Sequence, residues 1–115
     1  MRYFGLIVLS LLMMGSLPAV EPGSGRMQAL ERMGELNGVA LACGYFEQTR
    51  RIKEALIEYL PKRRELGQKF DDDTNAAFLE FHGSGRPCPS PAQFEAEVDE
   101  AVKALAGAYA GAGGS

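Results

Sequence analysis

Two cysteines in a chain of 115 residues set the firmest limit on what this sequence can fold into. Cys43 lies in LNGVALACGYFEQTRR, Leu36 to Arg51, and Cys88 lies in SGRPCP, just ahead of the last helical pattern. An export segment at the N-terminus would place both in an oxidising compartment, where two cysteines and no others read as one disulfide. The loop between them is about 45 residues. For that length the chain-entropy model gives about 4 kcal/mol of stabilisation, before any native-state strain. A domain this small has little more net stability than that in total.

The export segment is read from the first 20 residues. Arg2 supplies a positive start, Phe4 to Leu17 (FGLIVLSLLMMGSL) is an uncharged apolar run, and Pro18 to Gly25 (PAVEPGSG) is polar and rich in breakers. That is the layout of a signal peptide over 1–20, with cleavage after Ala19 or a few residues later. The apolar run is about 14 residues, whereas a membrane span needs about 20. A lipoprotein reading of Leu41-Ala42-Cys43 fails because no export segment directly precedes it. The expected location is the periplasm.

Loss of the leader removes Arg2 and leaves eleven basic against fifteen acidic residues, a charge near −4. Nucleic acid calls for a concentrated positive surface, so it is not an expected partner. The remaining 95 or so residues are one domain with a thin core. The expected organisation is a leader at 1–20, a helical domain at 21–110 and a disordered tail at 111–115.

From Arg26 the apolar residues Met27, Leu30, Met33, Leu36, Ala40 and Cys43 recur at helical spacing. Gly34, Gly38 and Ala42 lie four apart along one side, small enough to admit a second helix closely. A break is possible between Gly44 and Thr49. Ile52, Leu56 and Tyr59/Leu60 form the next stripe, which Pro61 ends. Pro61 also suits the first turn of a following helix. Its stripe is Leu66, Phe70, Thr74, Ala77/Phe78 and Phe81, continuous through Asp71-Asp72-Asp73, with Gly83 as its cap. Ser90, Pro91 and Gln93 predict a capping box with a proline start. Phe94, Val98, Ala101/Val102, Leu105 and Tyr109 then face the core. No strand pattern is visible. The expected fold is an all-α up-and-down bundle of three to four helices with one disulfide.

Little in the chain argues for catalysis. A redox pair has its cysteines two residues apart, and a zinc site needs four ligands, so Cys43 and Cys88 read as structural. His82 is the only histidine, placed to cap a helix C-terminus. Asp71, Asp73, Asn75 and Glu80 depart from a calcium loop at its glycine and its twelfth position. No catalytic, cofactor or metal residues are expected. Arg50, Arg51, Lys53, Lys62, Arg63, Arg64 and Lys69 make the middle of the chain basic, and 71–100 is acidic. The two segments either pair internally or leave a basic ridge for an acidic partner or anionic lipid headgroups. The candidate interaction surface is Arg50, Arg51, Arg63, Arg64 and His82. Tyr45, Phe46, Tyr59, Phe78 and Phe81 read mainly as core, and any exposed together would mark an interface.

The series Leu36-x-Gly38, Leu41-x-Cys43-Gly44, Arg50/Arg51, Arg63, Arg64, Leu66, Phe70, Phe78 and Cys88-Pro-x-Pro-Ala92 resembles a family of short exported bacterial helical proteins of uncharacterised function. Members carry one cysteine late in the first helix and another before the last. The chain differs from that pattern over Tyr45 to Thr49. The resemblance implies a periplasmic helical domain with one bridge and implies no activity. The expected function is therefore a non-catalytic periplasmic interaction protein, an accessory subunit or adaptor, with another periplasmic or envelope protein as partner. An immunity protein against a periplasmic toxin and a holdase-like stress protein are the alternatives. The sequence leaves the oligomeric state open.

Overall fold

A computed structural model describes residues 22–110; the expected leader at 1–20 and tail at 111–115 lie outside the described residues. Within them are four helices and no strand: α1 Pro22–Cys43, α2 Phe46–Tyr59, α3 Arg64–Ser84 and α4 Pro91–Tyr109. None is long and apolar enough to cross a membrane.

Local chemistry explains each boundary. The α1 helix ends in a Schellman turn, with Tyr45 N–H donating to Ala40 O at 2.8 Å and Gly44 N–H to Leu41 O at 3.4 Å. Gly44 takes φ +74°, which a side chain would disfavour, so the chain breaks here and does not run on into α2. Leu60, extended at ψ 132°, stops α2, because the residue before a proline avoids helical backbone. Pro61 does not open the next helix as its position suggested. Arg63 is also extended, and α3 begins only at Arg64. That helix does run unbroken through the three aspartates, helped by Gln68 to Asp72 (3.1 Å) and Lys69 to Asp73 (2.9 Å), both one turn apart. The hydrogen bond with Lys69 holds its ammonium pKa above the ordinary lysine value against the opposing effect of burial. The α3 helix passes the expected cap at Gly83 and ends instead at Gly85, φ +73°. Ser84 Oγ, donating to Phe81 O and accepting from Arg86 N–H, extends that last turn. Ser90 caps α4 by accepting from Gln93 N–H at 3.2 Å. The reciprocal half of the box does not form, since the Gln93 amide reaches Glu97.

The helix α1 is the axis of the fold. Its Leu30, Met33, Leu36 and Ala40 meet Ile52 and Ala55 of α2 and Phe94, Val98, Ala101, Leu105 and Tyr109 of α4 in one buried cluster. To this α3 adds Phe70. The α3 helix packs extensively on α1 alone, while α2 and α4 contact each other and α1. Directions follow from the contacts. The α1 residues Gly34 and Gly38 lie against Phe70–Thr74 and Thr74–Phe78, so α1 and α3 run parallel. Arg26 donates to Ala108 O and Arg32 pairs with Glu97, so α4 runs antiparallel to α1.

The α1–α3 contact is made by missing side chains. A Cβ on Gly34 would lie 2.6 Å from Asp73 Cβ, and one on Gly38 would lie 2.6 Å from Thr74 O. Between the glycines Asn37 Nδ2 donates to Thr74 Oγ1 at 3.2 Å, both residues being buried. Sliding α3 by one turn would bury both groups unpaired, so this bond fixes the register. Met27, expected in the core, is 39% exposed because it lies level with the point where α3 only begins.

Tyr109 closes the other end of the core. Its hydroxyl reaches Arg26 O at 3.4 Å and its ring lies 5.7 Å from the Arg26 guanidinium. Burial raises its phenol pKa above the ordinary value, more than Arg26 lowers it. A raised folded pKa means that the stability carried by the neutral ring is complete below about pH 10 and is lost as pH rises beyond it. Urea unfolding between about pH 8 and pH 11 should therefore fall more steeply for the wild type than for Tyr109→Phe. Lys69 contributes a slope of the same sign to both proteins. Equal slopes would remove Tyr109 from the alkaline transition.

Candidate functional site

The disulfide stands where the sequence put it, Cys43–Cys88, with Cα atoms 5.9 Å apart. It joins the end of α1 to the 85–90 loop. Tyr45 reinforces the same junction: its hydroxyl donates to Pro89 O at 2.6 Å and its ring lies 5.4 Å from Phe94. The sequence marked Tyr45 only as an aromatic core candidate. Its position two residues after the cysteine is the signal that could have assigned it to this joint.

The five residues of the expected interaction surface do not come together on one face. Arg50 stands on the outer side of α2, paired with Glu47 at 3.0 Å and Glu54 at 3.6 Å. Arg51 points the other way and bonds to Asp99 of α4. Arg63 lies in the α2–α3 connection, 3.2 Å from Glu65; a backbone hydrogen bond, and after it that contact, hold the Glu65 carboxyl below its ordinary pKa. Arg64 begins α3, and His82, near its end, is about 27 Å along the helix from it. His82 is exposed, with its ring edge-on to Phe78 at 4.6 Å. Between the basic middle and the acidic segment, Arg51–Asp99 crosses helices and Lys69–Asp73 stays within α3. Arg51–Asp99 is exposed enough to contribute less than about 1 kcal/mol, while Lys69–Asp73 is partly buried.

Two recesses follow from the asymmetry of the fold. Because α3 leans on α1 and stays clear of α4, a groove of about 600 Å³ opens between them. Val39 of α1 is the accessible part of its apolar base, above the buried Leu36 and Phe94, with Ala76 and Ala77 one wall and Pro87 and Pro89 its end. Glu31, Glu35, Asp73, Glu80 and Glu97 line it against Arg32 and Arg86. Arg86 bridges to Glu80 at 2.9 Å and lies over the Phe81 ring at 4.7 Å. Thus the loop tied by the disulfide is also one end of the groove.

The second recess, about 380 Å³ and shallow, lies between α2 and α3, where Leu56, Ile57, Leu60 and Phe70 are bordered by Lys53 and Lys62. Lys62 Nζ also donates to Ile57 O at 2.7 Å, closing the end of α2. At this recess α2 exposes Ile57 (69%), and at its opposite, N-terminal end it exposes Phe46 (66%). Phe46 was expected in the core; the core side of α2 is instead taken by Ile52 and Ala55, and Phe46 falls on the opposite side of the helix.

Chemically, the described residues offer surfaces for contact. Both cysteines are in the bridge, and no three His, Cys, Asp or Glu side chains among the described residues gather to hold a metal ion. The four aspects of a calcium loop, Asp71, Asp73, Asn75 and Glu80, lie on continuous helix. No family model, curated protein or solved structure matches this chain.

Proposed function

We propose that this chain is a non-catalytic periplasmic interaction protein, an adaptor or accessory subunit that takes a segment of another envelope protein into the α3–α4 groove. One observation carries the reading: the groove is concave, apolar at its base and charged at its rim, and it is built from parts with little freedom. Its α3 wall is pressed on α1 at glycine distance, and its end loop is held by a disulfide and by Tyr45. Rigid sites of this kind bind without losing much ordering entropy. The leader-like N-terminus and the bridge support an oxidising location outside the cytoplasm. The resemblance to short exported helical proteins agrees with it.

The test is site-specific photo-crosslinking in native envelopes. A photoreactive residue at Ala76, exposed on the groove wall, is compared with one at Lys103, exposed on α4 and outside the groove. One partner should be captured at near-equal amounts from position 76 and none from 103. Many substoichiometric clients from both positions would support a holdase-like protein instead. No adduct from 76 would remove the groove as the working surface.

A further inference from the structure

We propose that the outward face of α2 is a second docking surface, which accepts an α-helix of a partner protein whose contact seam reads apolar–acidic–acidic–apolar. Phe46, Arg50, Lys53 and Ile57 are spaced by four, three and four residues, the spacing of a helix seam that faces another helix. All four are exposed, and the α2 helix makes its own packing contacts, with α1 and α4, through the opposite side. The seam is about 16 Å long, or three turns. Two apolar side chains, 66% and 69% exposed, thus bracket two cations. Lys53 is in no ion pair among the described residues. Arg50 is held only by the exposed Glu47 and Glu54, contacts that a partner carboxylate can displace at little cost. A helix laid along the seam would also overlie the α2–α3 recess, where Leu56, Leu60 and Phe70 extend the apolar area beneath Lys53 and Ile57.

Charge selects among occupants. A second copy of this chain is disfavoured along the seam by its own cations: a parallel pairing sets Arg50 on Arg50 and Lys53 on Lys53, and an antiparallel one sets Arg50 on Lys53. An anionic lipid surface is disfavoured because it is broad and flat and would meet Glu47 and Glu54 together with the stripe, whereas a single helix seats along the stripe itself. A partner helix with two carboxylates centred between apolar residues meets the cations and covers Phe46 and Ile57. Because the pattern reads the same from either end, the seam accepts the partner helix in both directions.

The test uses the full mature protein and two labelled synthetic helical peptides. One carries Leu, Glu, Glu and Leu at the four-three-four spacing; the other carries Lys in place of Glu. Fluorescence anisotropy should show the Glu peptide binding at least tenfold tighter, with the difference shrinking as salt screens the contact. The double variant Arg50→Glu/Lys53→Glu should reverse the preference. Replacing Phe46 and Ile57 by alanine should weaken the Glu peptide at least tenfold. The surface variant Ala76→Trp, which fills the other groove, should leave this binding unchanged, so failure of one surface is distinguishable from failure of the other. Equal binding of the two peptides, no binding of either, self-association lost on mutating Phe46 and Ile57, or preferential binding to phosphatidylglycerol vesicles would each overturn the proposal.

Discussion

Replacing Cys43 and Cys88 together by serine is expected to lower the unfolding free energy by about 4 kcal/mol, within the range of about 2–5 seen when small secreted domains lose a native bridge. The bridge closes a separation of 45 residues that contains the whole of α2 and α3, so cutting it releases the largest loop in the fold. Cys88 is exposed and Cys43 half-buried, so the two serines introduce no buried polar group, and the loss reports the cross-link alone. Urea unfolding of the oxidised wild type and the double variant measures it. A loss below about 0.5 kcal/mol would mean that the bridge is not holding the fold. The 85–90 loop would keep its bond from Tyr45 to Pro89. With that bond as its remaining tie to Tyr45 and the disulfide gone, the loop should let the α3–α4 groove lose definition at that end before the core of α1, α2 and α4 gives way.

The second large effect concerns a single methyl group. Gly38→Ala is expected to destabilise the protein by about 2–3 kcal/mol, although alanine by itself favours a helix by about 1 kcal/mol over glycine. The added Cβ would stand 2.6 Å from Thr74 O, 2.7 Å from Ala77 Cβ and 2.8 Å from Phe78 N. Two of those three atoms are backbone, so no rotamer change relieves the contact, and α3 must move off α1 as a body. Moving it also breaks Asn37–Thr74, the bond that sets its register. Gly67→Ala supplies the opposite sign. That glycine also lies within a helix, but nothing approaches the position of its Cβ within 4 Å, so alanine there should stabilise by up to about 1 kcal/mol. Chemical denaturation of both variants tests the pair. Equal shifts in the same direction would show that the two glycines differ only in helix propensity and that the α1–α3 approach is not tight.

Much of the fold was legible because its signals are local or periodic. The α4 helix was read almost residue by residue: Ser90 and Pro91 open it, and Phe94, Val98, Ala101, Leu105 and Tyr109 are its buried face. The continuity of α3 through Asp71 to Asp73 followed from an apolar period that the aspartates do not interrupt. Where two local signals competed, the outcome depended on backbone geometry that the one-dimensional pattern does not carry. Gly83 was the expected cap, and the Ser84 hydroxyl carries the helix past it to Gly85. Pro61 fits both the end of one helix and the start of the next, and an extended Arg63 confined it to the first role.

The candidate site was less legible. Arg50 and Arg51 are neighbours in the sequence and stand on different sides of α2, one toward solvent and one toward Asp99. Arg64 and His82 share a helix and are separated by most of its length. Clustering by sequence position thus gathered residues that the helix period disperses. The two recesses could not be anticipated at all, because a groove is defined by helices that fail to touch. Helix pairing depends on interactions between residues far apart in the chain.

By itself, the sequence determined a helical fold of three to four segments, the pairing of its two cysteines and most of the buried side chains, since each of these follows from periodicity, turn chemistry or simple counting. The glycine spacing of α1 also announced a close helix contact. Tertiary structure alone decided which helix fills it, that α1 serves as the axis, and that α3 stands apart from α4. Those outcomes rest on steric fit between distant surfaces: Gly34 and Gly38 admit the backbone of α3, and once α3 is seated there it cannot also reach α4.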